Sequence, residues 1–128
     1  MRILLDTPVI LWWLMDDPRL GTKARARVEF GGSDVVASVV SLWEVSIKHR
    51  LGKLNATAAL VAGRLAEMEI ETLPVRLAHL TATEQLPLLH RDPFDRMLVA
   101  QSLTETMQIM SADAIIGQYG VPVVDAAR

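Results

Sequence analysis

The chain has no cysteine. Disulfides, thiolate metal sites and a cysteine nucleophile are therefore excluded. No apolar run reaches the length of a membrane span. The apolar N-terminus is not expected to be a signal peptide either. Asp6 interrupts it, Asp16-Asp17 follow it, and no small-residue cleavage site appears. A cytoplasmic protein without a membrane partner is expected. An excess of basic charge is also missing. Thirteen Lys and Arg stand against fifteen Asp and Glu, a net charge of −2. That argues against nucleic-acid binding through a broad basic surface, and leaves room only for a local basic rim. The histidines, His49, His79 and His90, are scattered. Each reads as a surface or packing residue rather than a ligand. Linkers, repeats and low-complexity segments are absent as well.

What is there is apolar. Hydrophobic residues make up 51% of the 128, and the mean hydropathy is +0.28. The length suits one domain over 1–128 with a real core. The high hydropathy implies apolar surface reserved for a partner. Val9 to Met15 is apolar throughout and includes Trp12 and Trp13. Adjacent helical residues differ by ~100°, so these two rings cannot share a face. Either both pack inward against different neighbours or one is left for another chain.

The opening stretch sets the pattern. Ile3-Leu4-Leu5 reads as a buried parallel strand, because such strands are continuously apolar. Thr7 reads as the cap of a helix with Pro8 in its first turn, running to Met15. That leaves Asp6 at the carboxyl end of a strand, where open parallel sheets place ligands. Further helices are expected over 22–30, 41–50, 57–68, 77–84, 92–107 and 113–118. Strands are expected over 34–38, 70–74, 108–111 and 121–124. Strands alternating with helices imply βα units and a mostly parallel sheet between two helix layers, an α/β/α sandwich.

Three more acids fall just past a strand or in the first turn of a helix. Ser41-Leu42-Trp43-Glu44 fits a capping box, in which Glu44 reaches back to the helix start. Glu44 also precedes Lys48 by four, a favourable ion-pair spacing. In Asp92-Pro93-Phe94-Asp95, Asp92 reads as the cap, which frees Asp95. A carboxylate at the mouth of a buried helix needs a partner: a metal ion, Arg91 or Arg96. Asp113 follows the 108–111 strand and would cap the next helix, and Ser111 points to the same edge. Each acid has a plain structural role. Together, Asp6, Glu44, Asp95 and Asp113 place four carboxylates at one sheet edge. Their repulsion would raise at least one pKa. A hard divalent cation, Mg²⁺ or Mn²⁺, removes that conflict through oxygen ligands.

These residues resemble the PIN-domain family, and within it the VapC-type toxins of bacterial toxin–antitoxin pairs. The resemblance covers nearly the whole chain. It is carried by Leu4-Leu5-Asp6-Thr7, Ser41-Leu42-Trp43-Glu44, Leu51-Gly52-Lys53-Leu54 and His90-Arg91-Asp92-Pro93-Phe94-Asp95-Arg96. Leu98-Val99-Ala100-Gln101, Ser111-Ala112-Asp113 and Tyr119-Gly120-Val121 extend it. The resemblance implies a Mg²⁺- or Mn²⁺-dependent endoribonuclease that cleaves RNA to 5′-phosphate and 3′-hydroxyl ends. It also implies a cognate antitoxin as partner. Asp6, Glu44, Asp95 and Asp113 match the four acidic positions, and Ser111 matches a position that often holds Thr or Ser. Two departures stand out. Pro8 replaces a common His, and the tail lacks a usual Phe. Arg91, Arg96, Lys48 and Arg50 are candidates for a rim meeting RNA phosphates. The apolar Trp12–Trp13 helix suggests a homodimer or an antitoxin contact.

Three rival readings share parts of this pattern. A phosphoacceptor receiver domain shares the layered pattern but needs a late Lys, and lysine occurs only at Lys23, Lys48 and Lys53. An aspartyl-phosphate hydrolase would pair Asp6 with an acid two residues on, where Pro8 stands. A catalytically inactive binding module fits the pattern but leaves four intact acids without use.

Overall fold

The computed structural model describes residues 1–128. Five strands form one sheet: β1 (Ile3–Leu5), β2 (Val35–Ser38), β3 (Glu71–Leu73), β4 (Gln108–Ser111) and β5 (Val123–Asp125). Their order across the sheet is β3-β2-β1-β4-β5, and every pairing is parallel. The expected sheet is therefore parallel throughout. Seven α-helices join them: α1 (Thr7–Leu14), α2 (Thr22–Phe30), α3 (Val39–Arg50), α4 (Ala58–Glu67), α5 (Leu77–Gln85), α6 (Pro93–Glu105) and α7 (Ala114–Gly117).

Alternation along the strands divides the core in two. Ile3, Leu5, Val35 and Ala37 face one side and pack with Val9, Trp13 and Val28 of α1 and α2, and with Val61 and Leu65 of α4. Leu4, Val36 and Ile109 face the other and pack with Leu98 and Val99 of α6 and Ile116 of α7. Successive strand residues point to opposite faces, so each strand feeds both cores. This is the three-layer sandwich. The segment after β4 is anchored in this second core by Ile116, Tyr119 and Val121, all buried.

Helix starts explain most boundaries. Thr57 caps α4 by accepting the Leu60 N–H at 3.1 Å. Asp92 caps α6, accepting from Phe94 and Asp95, with Pro93 in the first turn. Two starts differ from expectation. Asp6, not Thr7, caps α1: its carboxylate accepts the Val9 N–H at 3.0 Å. Thr7 is already helical, and its hydroxyl donates inward to Ser41 at 2.9 Å. Ser38, not Ser41, caps α3, accepting the Val40 N–H at 3.0 Å. The β-branched pair Val39-Val40 conceals this start in the sequence, because it prolongs the strand-like run. Glu44 is therefore too deep in α3 to close a capping box.

The sheet order fixes where a site can form. From the central β1, the chain crosses to β2 on one side and later to β4 on the other. The connections thus diverge between β1 and β4, leaving a crevice beyond their carboxyl ends. Backbone bonds Asp6 N–H to Met110 C=O (3.1 Å) and Ala126 N–H to Ser111 C=O (3.0 Å) extend the pairing to that edge.

A cluster of acids beyond the strand ends

Four elements bring acids to this crevice. Asp6 follows β1 and is 3% exposed. Glu44 comes from α3 and is 7% exposed. Asp95 sits in the first turn of α6, and Asp113 caps α7, accepting the Ile115 N–H at 2.9 Å. Ser111 ends β4, is buried, and accepts the Asp113 N–H at 3.0 Å. All five residues singled out in the sequence are thus brought to one place.

Their charges act on one another. Burial raises the Asp6 carboxyl from 3.8 to about 6, and the charges of Asp113 and Glu44 add to the rise. The Ser111 hydroxyl and the Val9 N–H oppose it, since both stabilise the ionised form. Asp95 rises further, to about 7. Burial is the largest cause, followed by the charges of Asp92, Asp6, Glu44 and Asp113. Asp95 therefore senses all three other acids of the cluster.

Glu44 is divided in function. Its Oε2 lies 2.8 Å from Lys48 Nζ, while its buried Oε1 has no hydrogen-bond partner. A buried carboxylate oxygen without a donor is costly. An orphaned oxygen, two raised carboxyls and an all-oxygen donor set from the acids together fit a hard divalent cation.

His90 corrects the expectation that the histidines stand apart from the site. Its ligand-capable nitrogen and the carboxylate oxygens of Asp95 and Asp113 all lie within 4.8 Å of one another. His90 Nε2 is 3.6 Å from Asp95 Oδ2. The neighbour of Asp95 is thus His90, not Arg91 or Arg96. The sequence carried a signal for this, since His90 opens the same stretch that holds Asp92 and Asp95. The other two histidines match expectation. His79 is fully buried, with Nδ1 accepting the Arg76 N–H, and His49 Nδ1 bonds the Leu54 carbonyl.

The basic candidates separate. Arg96 is turned inward, donating to the carbonyls of Pro87 (2.7 Å) and Thr83 (3.1 Å), so it does not form a rim. Lys48 is paired with Glu44. Arg91 is exposed beside His90, and Arg50 is exposed in the last turn of α3. The tryptophans also sort themselves. Trp13 is in the core, Trp12 packs against it beneath the Arg19 guanidinium, and Trp43 is the exposed one.

Comparison with known proteins follows the same outline. The family model described as "PIN domain" matches residues 3–121. No curated protein matches the chain. Among solved structures, VapBC2 from Rickettsia felis, bound to a DNA fragment from its promoter, has a TM-score of 0.71 at 10% identity. It covers 97% of this chain and 98% of that one. FitAcB from Neisseria gonorrhoeae has a TM-score of 0.69 at 17% identity, covering 97% of each chain. A toxin–antitoxin complex from Klebsiella pneumoniae has a TM-score of 0.65 at 14% identity, again covering 97% of each. At these identities the likeness is one of fold.

Proposed function

The chain belongs to the PIN-domain family, and from that premise we propose that it is a divalent-metal-dependent endoribonuclease, the toxin of a toxin–antitoxin pair. Residues 1–128 would form a single domain. The observation that carries this reading is the convergence of Asp6, Glu44, Asp95 and Asp113, close enough for three of them to raise the pKa of the fourth.

Asp6 and Asp95 would hold Mg²⁺ or Mn²⁺ directly, because they are the two carboxyls whose ionised form burial and neighbouring charge penalise most. Glu44 and Asp113 would act through metal-bound water or hold a second ion. When bound, the cation supplies a Lewis acid at the phosphate and water of lowered pKa. Ser111 links the two neighbours: its hydroxyl favours the ionised form of Asp6 and accepts the Asp113 N–H. Lys48 neutralises one oxygen of Glu44 and so limits the net negative charge that an RNA phosphate must approach. Arg91 remains free to meet a neighbouring phosphate.

The antitoxin partner is supported by the Klebsiella pneumoniae likeness and by exposed apolar side chains. Phe30, Leu77 and Leu88 are each at least three-quarters exposed. A groove of about 690 Å³ between α1 and the loop before α4 is lined by Leu11, Leu14, Met15, Leu54 and Leu60. It suits an apolar peptide segment. A homodimer would cover part of the same apolar surface. An inactive binding module has no use for four mutually repelling acids, so the nuclease reading is preferred.

The test is cleavage of single-stranded and structured RNA with Mg²⁺ or Mn²⁺, then with EDTA. Cleavage should require the metal and stop on chelation. Full activity after exhaustive chelation would overturn the reading.

A further inference from the structure

His90 lies against the acid cluster, yet its neighbours give it a defined and separate task. Its Nδ1 is 2.7 Å from the Tyr119 hydroxyl. That hydroxyl receives a long bond, 3.5 Å, from Arg96 Nη1. Arg96 itself is fixed by the carbonyls of Pro87 and Thr83. A guanidinium only donates. Tyr119 thus accepts from Arg96, and the one acceptor beside it for its own proton is His90 Nδ1. An accepting Nδ1 puts the ring proton on Nε2. Nε2 is buried, has no hydrogen-bond partner, and faces Asp95 Oδ2 at 3.6 Å. With Asp95 ionised, the opposite tautomer would aim a lone pair at a carboxylate oxygen and leave the phenol proton without an acceptor.

We propose that His90 is a positioning residue: held as the Nε2–H tautomer by Tyr119 and Arg96, it fixes the orientation of the Asp95 carboxylate for a divalent cation. The chain Arg96–Tyr119–His90–Asp95 ties the α5–α6 connection and the end of α7 to the first turn of α6. The 3.6 Å separation is loose for a hydrogen bond. Such contacts commonly tighten when a site is filled. Partners of metal-holding carboxylates work in this way, by setting orientation without touching the ion. The inference rests on the metal reading above, but its first test does not.

That test is the tautomer of His90 in metal-free, ¹⁵N-histidine-labelled protein, read from two-bond ¹H–¹⁵N couplings at a pH above 8, where the ring is neutral and Asp95 is ionised. The Nε2–H form is expected, giving way to a mixture in Tyr119→Phe. The second readout is Mn²⁺ affinity by electron paramagnetic resonance, with folding checked by circular dichroism. His90→Ala should weaken Mn²⁺ binding ~10–100-fold. Tyr119→Phe should weaken it less. His90→Gln, whose amide can donate from nearly the same place, should recover part of the loss. If His90→Ala does not fold, His90→Gln and Tyr119→Phe carry the comparison. A wild-type Nδ1–H tautomer would overturn the proposal, since Nε2 would then be free to ligate the ion itself. Folded variants that bind Mn²⁺ as tightly as wild type would overturn it equally. A wild-type protein that binds no Mn²⁺ would instead overturn the metal reading.

Discussion

Lys48 Nζ sits 2.8 Å from Glu44 Oε2, one turn further along α3, while Glu44 Oε1 is buried and unpartnered. The pair occupies half of the carboxylate and leaves the other half aimed at no protein donor. Because Ser38 caps α3, Glu44 carries no capping duty. Glu44→Gln should therefore cost little stability. Helical ion pairs of this spacing contribute about 0.3–0.5 kcal/mol, and removing one of four clustered charges offsets that. Metal-dependent cleavage should fall ~10–100-fold if Glu44 acts through metal-bound water. Thermal melts and RNA cleavage on the same preparation check both halves. An active Glu44→Gln enzyme would remove Glu44 from the site.

Acid titration should run against the usual trend in the metal-free protein. Asp6 and Asp95 hold their protons to about 6 and about 7, against 3.8 for an ordinary aspartate. Between those limits the folded chain binds more protons than the unfolded chain. The contribution of these two groups to stability is thus fully present below about pH 4 and lost as pH rises through 6 and 7. The melting temperature without metal should fall across that window from this cause. Saturating Mn²⁺ should abolish or reverse the fall, because the ion binds the ionised, folded form. A Mn²⁺-insensitive pH profile would contradict the placement of these two acids at a metal site.

Ser111→Ala should act on two neighbours at once. It removes the hydroxyl that favours ionised Asp6 and the acceptor of the Asp113 N–H. A lost buried hydrogen bond costs about 1 kcal/mol. The Asp6 titration should move upward, shifting the low-pH limb of cleavage to higher pH while leaving a folded enzyme. Cleavage rates from pH 5 to 8 would show this. An unmoved limb would mean that Ser111 serves only the α7 start.

The fold was legible because its signals are local. Continuous apolar strands and the Asp92-Pro93 start each depend on a few adjacent residues, and α2 falls at its expected limits of Thr22 and Phe30. Asp6 and Asp113 were legible because each stands just past a strand, and Asp95 because Asp92 beside it already caps α6. Cap assignments failed where two candidates stood close together: Asp6 and Thr7, Ser38 and Ser41. Propensity alone does not rank neighbouring caps, and Thr7 instead spends its hydroxyl on Ser41 across the core. His90 and Arg96 were misplaced for another reason. Their partners Tyr119, Pro87 and Thr83 meet them through packing of α5, α6 and the chain after α7, which no local pattern encodes.

The most direct measurement compares Asp92→Asn with Asp95→Asn. Both acids stand at the start of α6, but their atoms do different things. Asp92 Oδ1 accepts the N–H groups of Phe94 and Asp95 at 2.9 and 3.2 Å, while the Asp95 carboxylate faces His90. Asparagine caps about as well as aspartate. Asp92→Asn should keep its melting temperature and most of its cleavage, and it also relieves one charge that raises Asp95. Asp95→Asn should lose Mn²⁺-dependent RNA cleavage while staying folded, and should melt higher than wild type at pH 8 without metal. The assay is melting temperature and RNA cleavage for both variants, with and without Mn²⁺. Loss of cleavage in Asp95→Asn alone is the predicted result. An inactive Asp92→Asn beside an active Asp95→Asn would contradict the account.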